Sequence, residues 1–224
     1  MKVFPRLKSL SRAVHQEQEE EEKERNKYPR IKIQEEEGSL KSTSLTVWRK
    51  SLVMNCKGFT VIGSHGNLVY RVDNYIHNPN ELVLMDASGN SLLTMCRRTK
   101  KLGWVDSWYV YEGEVGSSTK KESPICCVKK HVSILQANPN VQAYVYRGAS
   151  SCAAAFTVEG SYAQRTCKVL DECGSEVAEI KRKEANTKNF NVSFGIDIFQ
   201  LVVHPGFDPA FAMALVLLLD QMFS

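Results

Sequence analysis

The most apolar stretch of the chain lies near its C-terminal end, where every residue from 210 to 219 is apolar. Asp208 can cap the first turn of a helix there, and Pro209 suits the first helical position because its missing N–H is not needed. A helix that is apolar on all faces lies either in a protein core or in lipid. A membrane-spanning helix needs about 20 apolar residues, and this run has about half of that. We therefore expect a helix buried on every side, with a membrane anchor as the alternative.

Upstream of this helix, the chain reads as short strands separated by turns. Apolar and β-branched segments alternate with turn compositions such as Ser64-His65-Gly66-Asn67. In the last segment, every second residue from Phe190 to Ile198 is apolar, so that one long strand would present a single apolar face. The predicted strands are 45–54, 58–63, 68–72, 82–85, 92–96, 108–111, 125–132, 141–146, 154–158, 165–170, 177–180 and 190–203. About a dozen strands and one apolar helix predict a mainly β fold, a closed antiparallel barrel around a buried C-terminal helix.

An internal repeat supports two related halves of such a barrel. Residues 84–92 resemble residues 169–177, and Asp171 follows Asp86 by 85 positions (171 − 86), as Gly174 follows Gly89 (174 − 89). An aspartate and a glycine at these places favour a tight hairpin. A basic stretch follows each copy, so the two hairpins are expected to end in similar cationic segments.

The first 44 residues differ in composition from the rest. Glu19–Glu22 and Glu35–Glu37 make this segment strongly charged, with few apolar residues to offset the entropy cost of ordering it. We expect two regions: a flexible charged arm over residues 1–44 and a barrel domain over residues 45–224.

Charge and cysteine content narrow the class of protein. A formal net charge of +4 does not favour nucleic acid as a direct ligand, because such proteins concentrate basic residues on one face. The seven cysteines include no Cys-x-x-Cys pair, and no secretory apolar segment is present near the start. We expect reduced thiols, no metal and no cofactor. The expected location is cytoplasmic, with plasma-membrane association or the nucleus as alternatives, and not secreted.

Catalytic motifs are lacking in the sequence. It contains no Gly-x-Ser-x-Gly, His-Glu-x-x-His or phosphate-binding Gly-x-x-x-x-Gly-Lys pattern. The segment 73–78 begins with oxygen ligands, but Tyr75 and His77 stand where a calcium loop has Asp or Asn. We expect a protein that is not an enzyme and has no catalytic residues.

Six sequence blocks occur in order along the chain: Met1-Lys2-Val3-Phe4-Pro5, Leu45-Thr46-Val47-Trp48-Arg49-Lys50-Ser51, Gly58-Phe59-Thr60-Val61, Gly66-Asn67-Leu68-Val69-Tyr70-Arg71-Val72-Asp73, Leu84-Met85-Asp86-Ala87-Ser88-Gly89 and Asp208-Pro209-Ala210-Phe211. Together these blocks resemble the plant LURP-one-related proteins of the tubby C-terminal-like superfamily. The resemblance implies a barrel of about twelve strands around a hydrophobic C-terminal helix. It also implies a link to plant defence, without an established catalytic activity. The related tubby-like proteins bind membrane phosphoinositides, and the phospholipid scramblases share the fold; such kinship is analogy.

Basic residues at predicted strand ends are the candidate site for a phosphoinositide or another anionic lipid headgroup. They are Arg97, Arg98, Lys100, Lys101, Lys129, Lys130, Lys181, Arg182 and Lys183. Arginine grips phosphate oxygens through two parallel hydrogen bonds, and lysine adds point charge. If these segments meet at one barrel rim, they would form an anionic-lipid site, whereas the alternative is a set of solvated edge cations. No residue is carried over from the tubby phosphoinositide motif.

Three functional hypotheses follow. The first is a binding module that associates with phosphoinositides or an anionic membrane surface in defence signalling. The second is a protein-interaction scaffold with unidentified protein partners and no lipid binding. The third is a scramblase-like lipid-associated protein, which requires that the C-terminal helix leave the barrel.

Overall fold

The computed structural model describes residues 41–54, 56–74, 80–98, 107–115, 123–132, 140–149, 151–187 and 190–224. Nearly all of the predicted N-terminal arm lies outside these residues. The first seven strands are β1 (Thr43–Trp48), β2 (Lys57–Ile62), β3 (Leu68–Asn74), β4 (Glu81–Asp86), β5 (Ser91–Arg98), β6 (Ser107–Glu112) and β7 (Cys126–Lys130). The remaining elements are β8 (Val141–Arg147), β9 (Ala154–Ser161), β10 (Thr166–Asp171), β11 (Glu176–Arg182), β12 (Glu184–Thr187), β13 (Phe190–Ser193), β14 (Ile198–Val203) and the helix α1 (Pro209–Phe223).

Twelve of the strands form a closed barrel in the order β1-β14-β11-β10-β9-β8-β7-β6-β5-β4-β3-β2. All neighbouring pairs are antiparallel, and β1 closes the ring by pairing with both β14 and β2. Side chains alternate between the barrel interior and its outer surface, as in β1, where Leu45 and Val47 are buried. The predicted mainly β fold with a closed antiparallel barrel is confirmed.

Helix α1 fills the barrel, as its sequence predicts. The Asp208 side chain accepts a hydrogen bond of 2.8 Å from the backbone N–H of Ala210, and Pro209 occupies the first helical position. All residues from Phe211 to Asp220 are buried, so the strands surround the helix on every face. No helix in the described part of the chain is long and apolar enough to cross a bilayer.

The predicted strand 190–203 is wrong as a single strand. It divides into β13, which pairs only with β12 as a separate two-stranded sheet, and β14, which belongs to the barrel. Gly195, with φ of +79°, lies in the break between them. In β14 the buried residues are the odd-numbered ones, such as Phe199 and Leu201, whereas the pattern from Phe190 to Ile198 placed even-numbered residues inside. A shift of one residue in the pairing register moves every side chain of a strand to the opposite face. The break before β14 therefore allows Phe199, Leu201 and Val203 to face the core.

The internal repeat corresponds to the β4–β5 and β10–β11 hairpins. The Asp86 side chain accepts from the backbone N–H of Asn90 at 2.9 Å, and that of Asp171 accepts from Ser175 at 2.8 Å. Both hairpins carry a register shift, and Gly89 and Gly174 both have positive φ, as the tight turn requires. In the barrel order, β5 lies six positions from β11, which is half of the twelve-stranded ring. The two copies therefore stand on opposite sides of the barrel.

Candidate functional site

The ends of β5, β7 and β11 lie at the same rim of the barrel. Neighbouring strands are antiparallel, and the register pairs Arg98 with Ser107 and Ser107 with Lys129. On the far side of the ring, Lys181 pairs with Thr166 at the start of β10. We call this end the basic rim: it comprises the ends of β1, β3, β5, β7, β9 and β11 and the starts of the strands between them.

Arg98 and Lys129 form an outward-facing pair of cations on this rim. Only β6 separates their strands, and the Arg98 guanidinium carbon lies 4.9 Å from the centre of the Tyr109 ring. An Arg98 nitrogen also donates to the Tyr111 hydroxyl at 3.0 Å, while the Lys129 ammonium lies 4.6 Å from the Tyr146 ring centre. Cation–π contacts of this kind orient a charge without neutralising it. The two cations are therefore positioned by tyrosines and keep their charge available to an anion.

Tyr109 and Tyr146, whose rings contact these cations, are neutral at physiological pH. Partial burial is the largest cause that raises the pKa of both Tyr109 and Tyr146 above the ordinary phenol value. A neutral phenol ring offers its face to a cation and can donate its hydroxyl to a phosphate oxygen. The outer surface of β6–β8 thus combines positive charge with hydrogen-bond donors.

Lys130 and Arg97 also lie on this rim, next to Lys129 and Arg98 in their strands, and both are exposed. The Lys130 ammonium donates to the backbone carbonyl of Met222 at 2.7 Å and lies 4.3 Å from the Phe223 ring centre. A cation at a helix C-terminus satisfies a free carbonyl and the negative end of the helix dipole. Lys130 therefore holds the end of α1, while the exposed Arg97 pairs in register with the buried Trp108.

The basic residues at the end of β11 do not join this cluster. Lys181 pairs with Glu179 at 3.1 Å, and the Arg182 Nε donates to the Gln164 carbonyl at 3.0 Å. The Lys183 ammonium donates to the Thr46 hydroxyl at 2.6 Å. These residues share the rim with Arg98 but lie on the opposite side of the ring. Two further predicted residues, Lys100 and Lys101, lie outside the described residues.

A buried polar network on the same rim could not be seen in the sequence. The Asp220 carboxylate, in the last turns of α1, lies 3.0 Å from the Arg49 Nε and accepts from the Tyr162 hydroxyl at 3.1 Å. The Arg165 guanidinium lies between the rings of Tyr162 and Phe199, 4.1 and 4.4 Å from their centres. A single acid in an apolar helix was the only available signal. The network anchors the helix end, because a buried charge needs a partner.

Thiol and metal chemistry receive no support from the described residues. None of their His, Cys, Asp and Glu side chains form a group of three or more that could hold a metal ion. All seven cysteines are free. Burial raises the pKa of Cys126 and brings that of Cys167 to about 12, so that both remain protonated thiols.

The fold and the rim define a class of protein: a closed twelve-stranded barrel filled by its C-terminal helix. A solved crystal structure of an Arabidopsis thaliana protein shares this fold, with a TM-score of 0.59 and 22% identity, over 85% of this chain and 96% of that one. The LURP-one-related family model matches residues 43–220, and the chain belongs to this family.

The chain aligns with two Arabidopsis thaliana relatives over most or all of the length of each relative. The chain is 46% identical to Protein LURP-one-related 17 over 228 residues, covering 99% of this chain and 100% of the relative. It is 47% identical to Protein LURP-one-related 8 over 182 residues, covering 80% of this chain and 86% of the relative. The predicted family resemblance is confirmed.

Proposed function

We propose that this chain is a non-enzymatic binding module whose basic rim associates with phosphoinositides or another anionic membrane surface. The observation that carries the proposal is the pair Arg98 and Lys129, two cations held over tyrosine rings on neighbouring parts of one rim. Phosphate recognition needs charge and geometry together, which an arginine fork and a nearby lysine supply. Arg97 adds a further exposed cation next to them.

The distribution of carboxylates supports a preferred orientation on such a surface. We call the opposite end of the barrel the acidic rim; it comprises the ends of β2, β4, β6, β8, β10 and β14, the starts of the strands between them, and the connection from β14 to α1. Its carboxylates include Asp86, Glu112, Glu114, Asp171, Glu172, Glu176 and Asp208. An anionic membrane repels this end and attracts the other, so the barrel would approach with the basic rim first.

The biological setting is part of the same proposal. LURP-one-related proteins are associated with plant defence, and we infer that this chain acts in that signalling as a membrane-tethered regulator. We further propose that it resides in the cytoplasm and meets the plasma membrane from that side.

Vesicle co-sedimentation tests the proposal. Phosphatidylcholine vesicles with and without phosphatidylinositol bisphosphate are incubated with the wild-type protein and with the Arg98→Ala/Lys129→Ala variant. Each cation near a membrane contributes about 1 kcal/mol, so the double variant should bind about 30-fold more weakly. Binding of the wild-type protein should also fall as salt rises.

A matched control removes two cations from elsewhere on the barrel. Arg147→Ala/Lys168→Ala changes the net charge equally, but both residues are paired with carboxylates, Glu172 and Glu176. The control should bind like the wild-type protein. Equal binding by both double variants would overturn the assigned site. Absence of wild-type binding to any vesicle would overturn lipid association and favour the scaffold hypothesis.

A further inference from the structure

Exposed apolar side chains are concentrated at the basic rim. Among the residues that the structure describes, the large apolar side chains exposed to solvent are Leu52, Met54, Val115, Val132, Phe194 and Ile196. All except Val115 lie at the basic rim, in the β1–β2 connection, directly after β7, or between β13 and β14. Met54 is 88% exposed and Ile196 is 55% exposed. Val132 follows β7 on the far side of the ring, whereas the other four lie in the connections that lead into β2 and β14, the two strands that flank β1. Isolated exposed apolar residues are ordinary, but four on neighbouring parts of one rim form a surface.

Polar contacts on both sides of Leu52 hold the β1–β2 connection against the barrel. The Ser51 hydroxyl donates to the Asp73 carboxylate at 2.5 Å and accepts from the Val53 backbone N–H at 2.9 Å. Arg71 completes this cluster, with its Nε 2.8 Å from an Asp73 oxygen. The backbone on either side of Leu52 is therefore fixed to the barrel, so its exposure is set by the fold.

The segment before β14 is held in the same manner. The Ile196 carbonyl accepts from the Arg165 Nε at 2.9 Å, and the Asp197 carbonyl accepts from the Arg49 N–H at 2.8 Å. Arg165 and Arg49 belong to the network that anchors the end of α1. The two apolar segments are thus tied to each other across the same part of the rim, and both direct apolar side chains away from the barrel.

The positive charge near this surface indicates that its partner is an anionic membrane. The exposed Lys57 begins β2, next to these apolar residues, and the exposed Arg97 and Arg98 lie farther round the same rim. Among the described charged residues of the acidic rim, carboxylates predominate. A surface with apolar side chains beside lysine and arginine is typical of proteins that lie in the interface of an anionic bilayer. The apolar groups enter the acyl boundary, and the cations stay at the level of the headgroups.

We infer that the basic rim inserts its apolar side chains, with Met54 and Ile196 foremost, into the boundary between headgroups and acyl chains of an anionic bilayer. This inference rests on the proposed function and extends it. Headgroup attraction brings the rim to the membrane, and burial of apolar surface then holds it there. Binding therefore has a component that salt does not screen.

The experiment compares two substitutions at this rim with one at the other. Met54→Ser/Ile196→Ser removes the two apolar side chains, and Val115→Ser removes the exposed one from the acidic rim. Co-sedimentation uses phosphatidylcholine vesicles containing phosphatidylserine, at low and high salt. We expect the double variant to bind at least about tenfold more weakly than the wild-type protein and to lose all binding at high salt. The Val115→Ser protein should match the wild-type protein.

Insertion itself is read with an environment-sensitive fluorophore. The exposed Cys152 and Cys173 are first replaced by serine, and a new thiol is introduced by Ile196→Cys or, as a control, by Val115→Cys. A nitrobenzoxadiazole label at 196 should shift to the blue when vesicles are added, and the label at 115 should not.

The outcomes separate this inference from the proposed function. Salt-sensitive binding that survives Met54→Ser/Ile196→Ser, without a shift at 196, overturns insertion and leaves headgroup binding intact. A shift at 196 that is unaffected by salt and by Arg98→Ala/Lys129→Ala supports insertion but removes the proposed headgroup site. A shift that develops with protein concentration and needs no vesicles identifies a second copy of the chain as the occupant and overturns insertion.

Discussion

Replacement of Leu217 by alanine tests whether the helix is held by the barrel on all sides. Leu217 is 1% exposed and lies midway along α1. Its neighbours along the helix, Val216 and Leu218, are equally buried although they point in different directions. Leu217 therefore lies inside an apolar enclosure whose wall is a continuous ring of hydrogen-bonded strands.

The loss in the free energy of unfolding depends on how far the barrel wall can relax into the cavity left by this substitution. Truncation of a buried leucine to alanine costs about 2–5 kcal/mol, and the value depends on how far the surroundings collapse into the cavity. A closed barrel cannot move one strand inward without breaking hydrogen bonds to two neighbours. We therefore expect a loss of about 3–5 kcal/mol in the free energy of unfolding. For a domain of this size, that corresponds to a fall of roughly 6–20 °C in Tm.

Urea and thermal unfolding, followed by circular dichroism, measure both quantities. Gln221→Ala is the matched control, because Gln221 is exposed on the same helix and alanine is a good helix former. The control should change the free energy of unfolding by less than about 0.5 kcal/mol. A Leu217→Ala protein that unfolds within about 1 kcal/mol of the wild-type protein would refute the enclosed position of the helix.

Two further predictions concern the barrel wall. Burial, and next the Asp208 carboxylate, raise the pKa of Tyr70 to about 12. The unfolded state ionises first, so the stability that neutral Tyr70 contributes is complete below about pH 10 and is lost as the pH rises toward 12. Tyr70→Phe should flatten the fall in stability over that window, and an unchanged pH profile in urea titrations would contradict the assignment. At Gly58, an added Cβ would lie 1.8 Å from the Val72 carbonyl oxygen, whereas at Gly66 it would meet nothing within 4 Å. Gly58→Ala should therefore lower Tm far more than Gly66→Ala, which costs about 1 kcal/mol through its positive φ; equal melting temperatures would refute the close approach.

Local sequence patterns predicted the elements of this fold well. The cap at Asp208 and the apolar run behind it predict α1 because a helix can be recognised from neighbouring residues alone. The repeated aspartate and glycine of the β4–β5 and β10–β11 hairpins likewise act within nine residues. The alternating apolar pattern gave a wrong prediction near Gly195, because the break before β14 depends on which face of that strand packs against α1. This cannot be seen from the segment alone.

The site was less accessible to sequence reasoning. Arg98 and Lys129 could be chosen as cations, but their proximity depends on strand order, which places one strand between them and five between Arg98 and the end of β11. The contact of Arg49 with Asp220 joins residues 171 positions apart. The sequence did not predict the apolar surface of the basic rim, in part because Phe194 and Ile196 fit the alternating pattern of the predicted strand 190–203.

Closure of the barrel has a consequence for how the chain reaches its native state. The first strand pairs with the last, and Thr43 is matched with Val203, so most of the chain must be synthesised before the ring can close. Helix α1 follows β14 directly and occupies the interior, so closure of the wall and packing of the helix depend on each other. Such long-range pairing makes folding slow and leaves strand edges exposed in the nascent chain.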